Sequence, residues 1–192
     1  MKRSRVGPSS AQGILTGGSG DVNPQILVVG NVNQTGNDSI NVEGQGLPIP
    51  RLPISKGKSL VIELLSLDSY VTGYTQAAGV INQYFCGLTT NPTAPASYVL
   101  AAADPRVISL ESWAISAIAT AIGTSYTFVP LHFHADTTDE AGHGILIATD
   151  NIYGLIGSAN TGASNLNVTF RLKYRFKEVS LEEYIGIVQS QQ

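Results

Sequence analysis

Apolar and polar residues alternate over residues 165–177, and this is the clearest periodicity in the chain. Successive side chains of a strand point to opposite faces, so the pattern predicts a long strand with one face in the core and one in solvent. The first set is Leu166, Val168, Phe170, Leu172, Tyr174 and Phe176, and the second is Asn165, Asn167, Thr169, Arg171, Lys173, Arg175 and Lys177. The solvent face of this strand is therefore strongly positive.

Shorter β-like runs separated by turn sequences fill most of the remaining chain. Turn residues such as Gly36-Asn37-Asp38 and Asn91-Pro92 lie between these runs. Their number indicates an all-β sandwich of two sheets. The runs cover residues 26–32, 39–42, 59–71, 80–88, 98–101, 107–118, 126–134, 144–149, 152–156 and 184–188.

Two segments also have a helical alternative. The Ala and Ile spacing over residues 107–121 is ambiguous and fits one helix as well as a strand. Ser180 and Glu183 have the spacing of a capping box, but residues 184–188 have a strand-like composition. Any helix at this second place is therefore expected to be limited to one turn.

Length and composition support a single β-rich domain. The chain has 192 residues, of which 43% are hydrophobic and only 13% are charged, with 20 Gly and 9 Pro. At this length a core can form without a metal or a disulfide. The single cysteine, Cys86, excludes an intrachain disulfide, and its apolar neighbours predict a packed thiol rather than a nucleophile.

Positive charge is concentrated in two places although the formal net charge is −3. The chain begins with a basic cluster, which predicts a flexible N-terminal arm over residues 1–24 and a folded domain over residues 25–192. Like charges two residues apart on a strand repel unless an anion screens them, which favours a polyanionic partner; a merely solvated strand face is the alternative. The candidate nucleic-acid-binding residues are Lys2, Arg3, Arg5, Arg171, Lys173, Arg175 and Lys177.

No targeting or membrane segment is predicted. The basic start is followed by Gly7, Pro8 and two serines rather than by the apolar stretch of a secretory signal. The most apolar uncharged run, residues 113–129, contains too many Ser, Thr and Gly residues for a bilayer span.

Three histidines give the sequence one candidate metal site. His132 and His134 flank Phe133 on a predicted strand, so both imidazoles point to one face, and His143 follows with several carboxylates between. The H-x-H pair resembles that of cupins, but the carboxylate spacing departs from the cupin pattern. The alternative is a surface loop over residues 136–142 flanked by packed histidines.

Other enzyme signatures are missing from the sequence. It contains no nucleophile elbow, no Walker loop and no C-x-x-C pair, so neither a catalytic residue nor a cofactor is predicted. A further hypothesis is a carbohydrate-binding sandwich with Trp113 and tyrosines in a surface site. Because the chain has a single Trp, this hypothesis is the weakest one.

Three segments resemble capsid proteins of small circular single-stranded DNA viruses that encode a replication initiator. These segments are residues 51–65, 141–153 and 172–191, and together they make up about a quarter of the chain. The resemblance implies a single eight-stranded jelly roll with long loops, sixty copies in a small icosahedral shell, and a basic arm facing a packaged single-stranded DNA genome.

The same resemblance implies a virion component assembled inside the host cell, with the nucleus as one candidate compartment. Its expected partners are copies of itself, the genome and an unidentified host receptor, and no membrane. The arm departs from the family pattern, because many relatives carry a long arginine-rich segment where this chain has only Lys2, Arg3 and Arg5.

Overall fold

The structure is a computed structural model, and it describes residues 24–34, 39–47, 57–74, 81–120, 123–126, 131–159 and 166–191. Residues 1–23 of the predicted arm, with Lys2, Arg3 and Arg5, lie outside the described residues. None of the helices in the described ranges is long and apolar enough to cross a membrane.

The first sheet is assembled around one long antiparallel strand pair. It contains β1 (Gln25–Asn33), β3 (Lys58–Thr72), β7 (His132–Asp136), β8 (Ile145–Ile147) and β10 (Asn167–Ser180). The strand order is β1-β10-β3-β7, and β8 also pairs with β3. Because β7 pairs with the second half of β3 and β8 with the first half, these two short strands together act as one interrupted edge strand.

The second sheet packs on the first and is likewise antiparallel. It contains β2 (Ile40–Gly46), β4 (Ile81–Thr89), β5 (Val107–Thr120), β6 (Gly123–Tyr126) and β9 (Asn151–Ala159), in the order β2-β9-β4-β5-β6. With β7 and β8 counted as one strand and β6 as the return of a hairpin from β5, the arrangement reduces to eight strands in two sheets. The all-β jelly-roll prediction is confirmed.

The core lies between the two sheets and is formed by the inward positions of both. Leu64 and Phe170 of the first sheet face Leu88, Ile115 and Ile156 of the second, and none of these side chains is more than 1% exposed. Burying each such side chain contributes roughly 1.5–3 kcal/mol. The alternating apolar residues of β10 therefore determine which face of the strand points into this core.

Cys86 lies in this core and is fully buried. Burial raises the pKa of its thiol to about 12, so the side chain remains protonated. The prediction of a packed thiol is confirmed.

Two helices replace strands that the sequence pattern predicted. The first, α1 (Tyr98–Ala103), is N-capped by the Ser97 side chain, which accepts a hydrogen bond from the Leu100 amide at 3.3 Å. The second, α2 (Leu181–Ser190), spans ten residues rather than one turn and is capped by Ser180. In contrast, residues 107–120 form a strand, so the helical alternative there is wrong.

The α2 helix covers one end of the outer face of the first sheet. Its partly buried residues Tyr184, Ile187 and Val188 follow an i, i+3, i+4 spacing and pack on Val61 and Val179. This packing explains why the prediction of a strand at residues 184–188 is wrong. The apolar residues lie on one side of a helix, and that side packs on the sheet.

A close approach between strands predicts a sensitive glycine. A Cβ atom added to Gly87 in β4 would lie 2.2 Å from the backbone oxygen of Ser109 in β5, whereas one added to Gly30 in β1 would meet nothing within 4 Å. We expect Gly87→Ala to lower the free energy of unfolding by roughly 1–3 kcal/mol. Urea denaturation measures this, with Gly30→Ala as the matched control; equal stability of the two variants would contradict the described register.

Candidate nucleic-acid interface

The β10 strand places the four predicted cations on the outer face of the first sheet. Leu172 and Tyr174 point into the core, while Arg171 and Lys173, which alternate with them, are exposed. The next two cations, Arg175 and Lys177, are only partly exposed. The predicted alternation is present, but the four cations have two different environments.

Arg175 and Lys177 are paired with a buried carboxylate, Glu63 of β3. The Arg175 Nε donates to Glu63 Oε2, and Lys177 Nζ lies 3.8 Å from Glu63 Oε1. Glu63 Oε1 also accepts a hydrogen bond from the Gly144 amide at 3.0 Å. For these two cations the charge repulsion along the strand is thus relieved within the chain and requires no external anion.

Glu63 remains ionised in spite of its burial. Burial alone would raise the pKa of its carboxyl, but the Arg175 and Gly144 hydrogen bonds and the charges of Arg175 and Lys177 together hold that pKa below its ordinary value. Arg175 Nη2 also donates to the Gly142 carbonyl at 3.3 Å. Glu63 and Arg175 therefore fasten the loop between β7 and β8 to the sheet.

Arg171 and Lys173 lie on the same outer face, and both side chains are exposed. By register, Arg171 is flanked by Val28 and Asp68, and Lys173 by Ile26 and Ser66. In the part of the chain that the structure describes, neither cation takes part in an ion pair within 4.0 Å. We call this surface the open face, and it consists of Ile26, Val28, Ser66, Asp68, Tyr70, His132, His134, Asp136, Arg171 and Lys173.

The structure brings His132 and His134 onto this open face beside the cations. His132 Nε2 lies 3.1 Å and His134 Nδ1 2.7 Å from the same atom, Asp68 Oδ1. The His134 hydrogen bond, together with that from His132, keeps the pKa of Asp68 below its ordinary value. His132 also stacks on Tyr70, with ring centroids 4.8 Å apart. No pattern in the sequence indicates that the histidines and the basic strand share one surface.

His143 does not join the other two histidines. It lies in the loop before β8, where its Nδ1 is 3.4 Å from Asp139 Oδ2. Among the described residues there is no group of three or more His, Cys, Asp or Glu side chains that could hold a metal ion. The trio that the cupin-like hypothesis requires, His132, His134 and His143, is therefore not formed.

Trp113 is only partly buried, and with Tyr84 and Tyr98 it lines a cavity of about 780 Å³ on the second sheet. Its ring packs against the core between Phe133, at a centroid distance of 4.8 Å, and Tyr84, at 6.0 Å. The indole therefore belongs to an aromatic cluster at the edge of the core. The carbohydrate-binding hypothesis stays a prediction.

Sequence reasoning missed two functional carboxylates, Glu63 and Asp68. Both belong to β3, and both lie opposite a cation of β10, in the pairs Glu63–Arg175 and Asp68–Arg171. The available signal was the presence of two acids in an otherwise apolar run. Their partners depend on the β3–β10 register, which the sequence does not state.

Comparison with known proteins identifies the fold. No family model matches the chain, and no curated protein matches it. The VP1 pentamer of Human Polyomavirus 6 is similar in structure, with a TM-score of 0.52 and 11% identity, over 84% of this chain and 97% of that chain. The unassembled KI Polyomavirus VP1 pentamer has a TM-score of 0.50 and 12% identity, also over 84% and 97%. The chain thus has the jelly-roll fold of these VP1 proteins.

The buried Glu63 predicts a stability effect with a definite pH dependence. We expect Glu63→Gln to lower the free energy of unfolding at neutral pH by roughly 2–3 kcal/mol, less than for a fully buried pair because Arg175 keeps access to water. The folded-state pKa of Glu63 is lowered, so its contribution is full above the ordinary carboxyl range and is lost as the pH falls through the folded value.

Urea denaturation at several pH values tests this prediction. The difference in the free energy of unfolding between wild type and Glu63→Gln should become smaller as the pH falls. The control is Glu178→Gln, which breaks the exposed pair with Lys58 at 3.2 Å and should cost less than about 1 kcal/mol. Unchanged stability of Glu63→Gln at neutral pH would contradict the fastening role.

The unpaired cations predict a salt-dependent contact with phosphates. For a single-stranded oligonucleotide, each phosphate contact contributes about 0.7 to the slope of log affinity against log salt, so Arg171→Gln/Lys173→Gln should reduce the slope by roughly 1.4. Fluorescence anisotropy on unassembled subunits measures the slope. Lys58→Gln, at the far end of β3, is the control. If Arg171→Gln/Lys173→Gln and Lys58→Gln have the same slope of log affinity against log salt, Arg171 and Lys173 do not take part in the contact.

Proposed function

We propose that the protein is the coat subunit of a small virus, and that it self-assembles into a closed icosahedral shell around a single-stranded DNA genome. The observation that carries this proposal is the jelly-roll match to the Human Polyomavirus 6 and KI Polyomavirus VP1 structures, which extends over nearly the whole of those chains. The proposed role is structural, with no bond made or broken.

Self-association is supported by apolar side chains that the isolated subunit leaves exposed. The exposed fractions are 71% for Val99 and 55% for Leu100 on α1, 60% for Ile81 and 61% for Leu131. Subunit contacts normally bury such residues. The matched VP1 structures are pentamers, and we propose rings of this chain as units of a sixty-copy shell.

The genome contact is assigned to the arm and to the open face. Lys2, Arg3 and Arg5 in the proposed arm over residues 1–24, with Arg171 and Lys173, would neutralise phosphates inside the shell. Arg175 and Lys177 contribute mainly to the fold, since Glu63 already pairs with them. The particle would assemble inside the host cell, and a host receptor of unknown identity would bind its exterior.

Assembly of the purified chain tests the proposal. We expect size-exclusion chromatography and negative-stain microscopy to show pentamers or closed particles whose population rises with protein concentration. Val99→Asp/Leu100→Asp should shift the material towards monomers with unchanged circular dichroism, whereas Lys58→Gln should assemble as wild type. A wild-type chain that stays monomeric at every salt and protein concentration would overturn the proposed function.

A further inference from the structure

The fixed charges of the open face cancel at neutral pH. Arg171 and Lys173 supply two positive charges, and Asp68 and Asp136 supply two negative ones. The pKa of Asp136 is lowered by hydrogen bonds from Thr138, and that of Asp68 by hydrogen bonds from His134 and His132, so both carboxylates stay ionised down to mildly acidic pH. While the histidines are neutral, the two carboxylates therefore offset much of the attraction that Arg171 and Lys173 exert on a polyanion.

His132 and His134 are placed to change that balance. Both side chains are about half exposed, at 47% and 55%, and both contact Asp68 Oδ1, the carboxylate nearest to Arg171 by register. Histidine is the side chain whose ordinary titration falls between about pH 5 and 8. Protonation of both rings would add two positive charges. His132 and His134 would then compensate the charge of Asp68, and the charge of Arg171 would act on a bound phosphate.

No other described titratable group competes at this position. The β1 strand contributes only the apolar Ile26 and Val28, and β3 adds Tyr70. Farther along β10, Arg175 and Lys177 follow Lys173 on the same face, and both are paired with Glu63 of β3. The charge of the open face is therefore set by the two histidines.

The open face also has the form of a surface for single-stranded nucleic acid. Neighbouring strands lie about 4.8 Å apart, so β1, β10, β3 and β7 give a surface roughly 14 Å wide. Tyr70, 41% exposed, and His132 form a stacked pair with rings inclined by 22°, next to the two cations. Stacking rings beside a positive track are the usual combination in surfaces that bind single strands without sequence preference.

We infer that the open face is a proton-controlled binding surface for single-stranded nucleic acid, in which Arg171 and Lys173 contact phosphates, Tyr70 and His132 stack on bases, and protonation of His132 and His134 around Asp68 strengthens binding. This inference rests on the proposed genome contact of the same surface and adds its regulation. Acidification favours the bound state, and neutral pH favours release.

The test measures the affinity of unassembled subunits for an oligothymidylate, whose bases and phosphates do not titrate in the range used. Fluorescence anisotropy at low salt compares about pH 5.5 with about pH 7.5. Two added charges about 7 Å from a phosphate should tighten wild-type binding roughly tenfold at the lower pH. His132→Gln/His134→Gln should bind weakly with little pH dependence, and Asp68→Asn should bind more tightly than wild type at the higher pH.

His143→Gln is the matched control, because His143 pairs with Asp139 outside the open face and should leave the pH dependence unchanged. Wild-type affinity that does not vary with pH, or varies equally in His132→Gln/His134→Gln, would overturn the inference while leaving assembly and the salt-dependent contact intact. Acid-induced self-association without tighter oligonucleotide binding would assign the face to a second copy and would also overturn it. Absence of binding at both pH values would remove the genome contact as well, and assembly would then be judged by microscopy alone.

Discussion

The antiparallel pairing of β3 with β10 is the interaction on which the rest of the structure depends. The pairing runs from Lys58–Ser180 at one end to Thr72–Asn167 at the other, with a single register shift near Lys173. It places Leu64 and Phe170 in the core and Glu63 and Asp68 on the opposite side of the sheet. Both short strands β7 and β8 attach to the free edge of β3, so the loop between them is positioned by the same pair.

This pairing divides a uniformly basic strand into two parts. At Arg175 and Lys177 a buried carboxylate lies within reach, and the cations become part of the fold. At Arg171 the neighbouring carboxylate, Asp68, is partly exposed and bonded to His132 and His134, so Arg171 and Lys173 keep access to solvent. The difference arises from burial. The negative charge of a buried carboxylate must be compensated by other protein groups, whereas that of a more exposed carboxylate is compensated largely by water.

The jelly roll is shared with VP1 structures at about 11% sequence identity, which shows how little of the sequence the fold requires. The shared requirement is alternation on the inner faces and turns of suitable length between strands, because burial is insensitive to which large apolar side chain is used. The outer faces are free of this requirement. In this chain they carry α1, α2 and the open face, and these features give the subunit its own contact surfaces.

The sequence by itself determined the all-β class, the inward and outward faces of β10, the packed thiol of Cys86 and the concentration of cations on one strand, because each of these follows from local periodicity or composition. It did not determine whether short apolar runs become helices: residues 98–103 and 181–190 fold as α1 and α2 because Ser97 and Ser180 cap them and Phe85, Val61 and Val179 offer apolar surface to cover. Only the tertiary structure decided that Glu63 lies beneath Arg175 and that Asp68 lies between His132 and His134. The reason is physical: cross-strand partners are more than 60 residues apart in sequence, and only the register of the folded sheet brings their charges within a few ångströms.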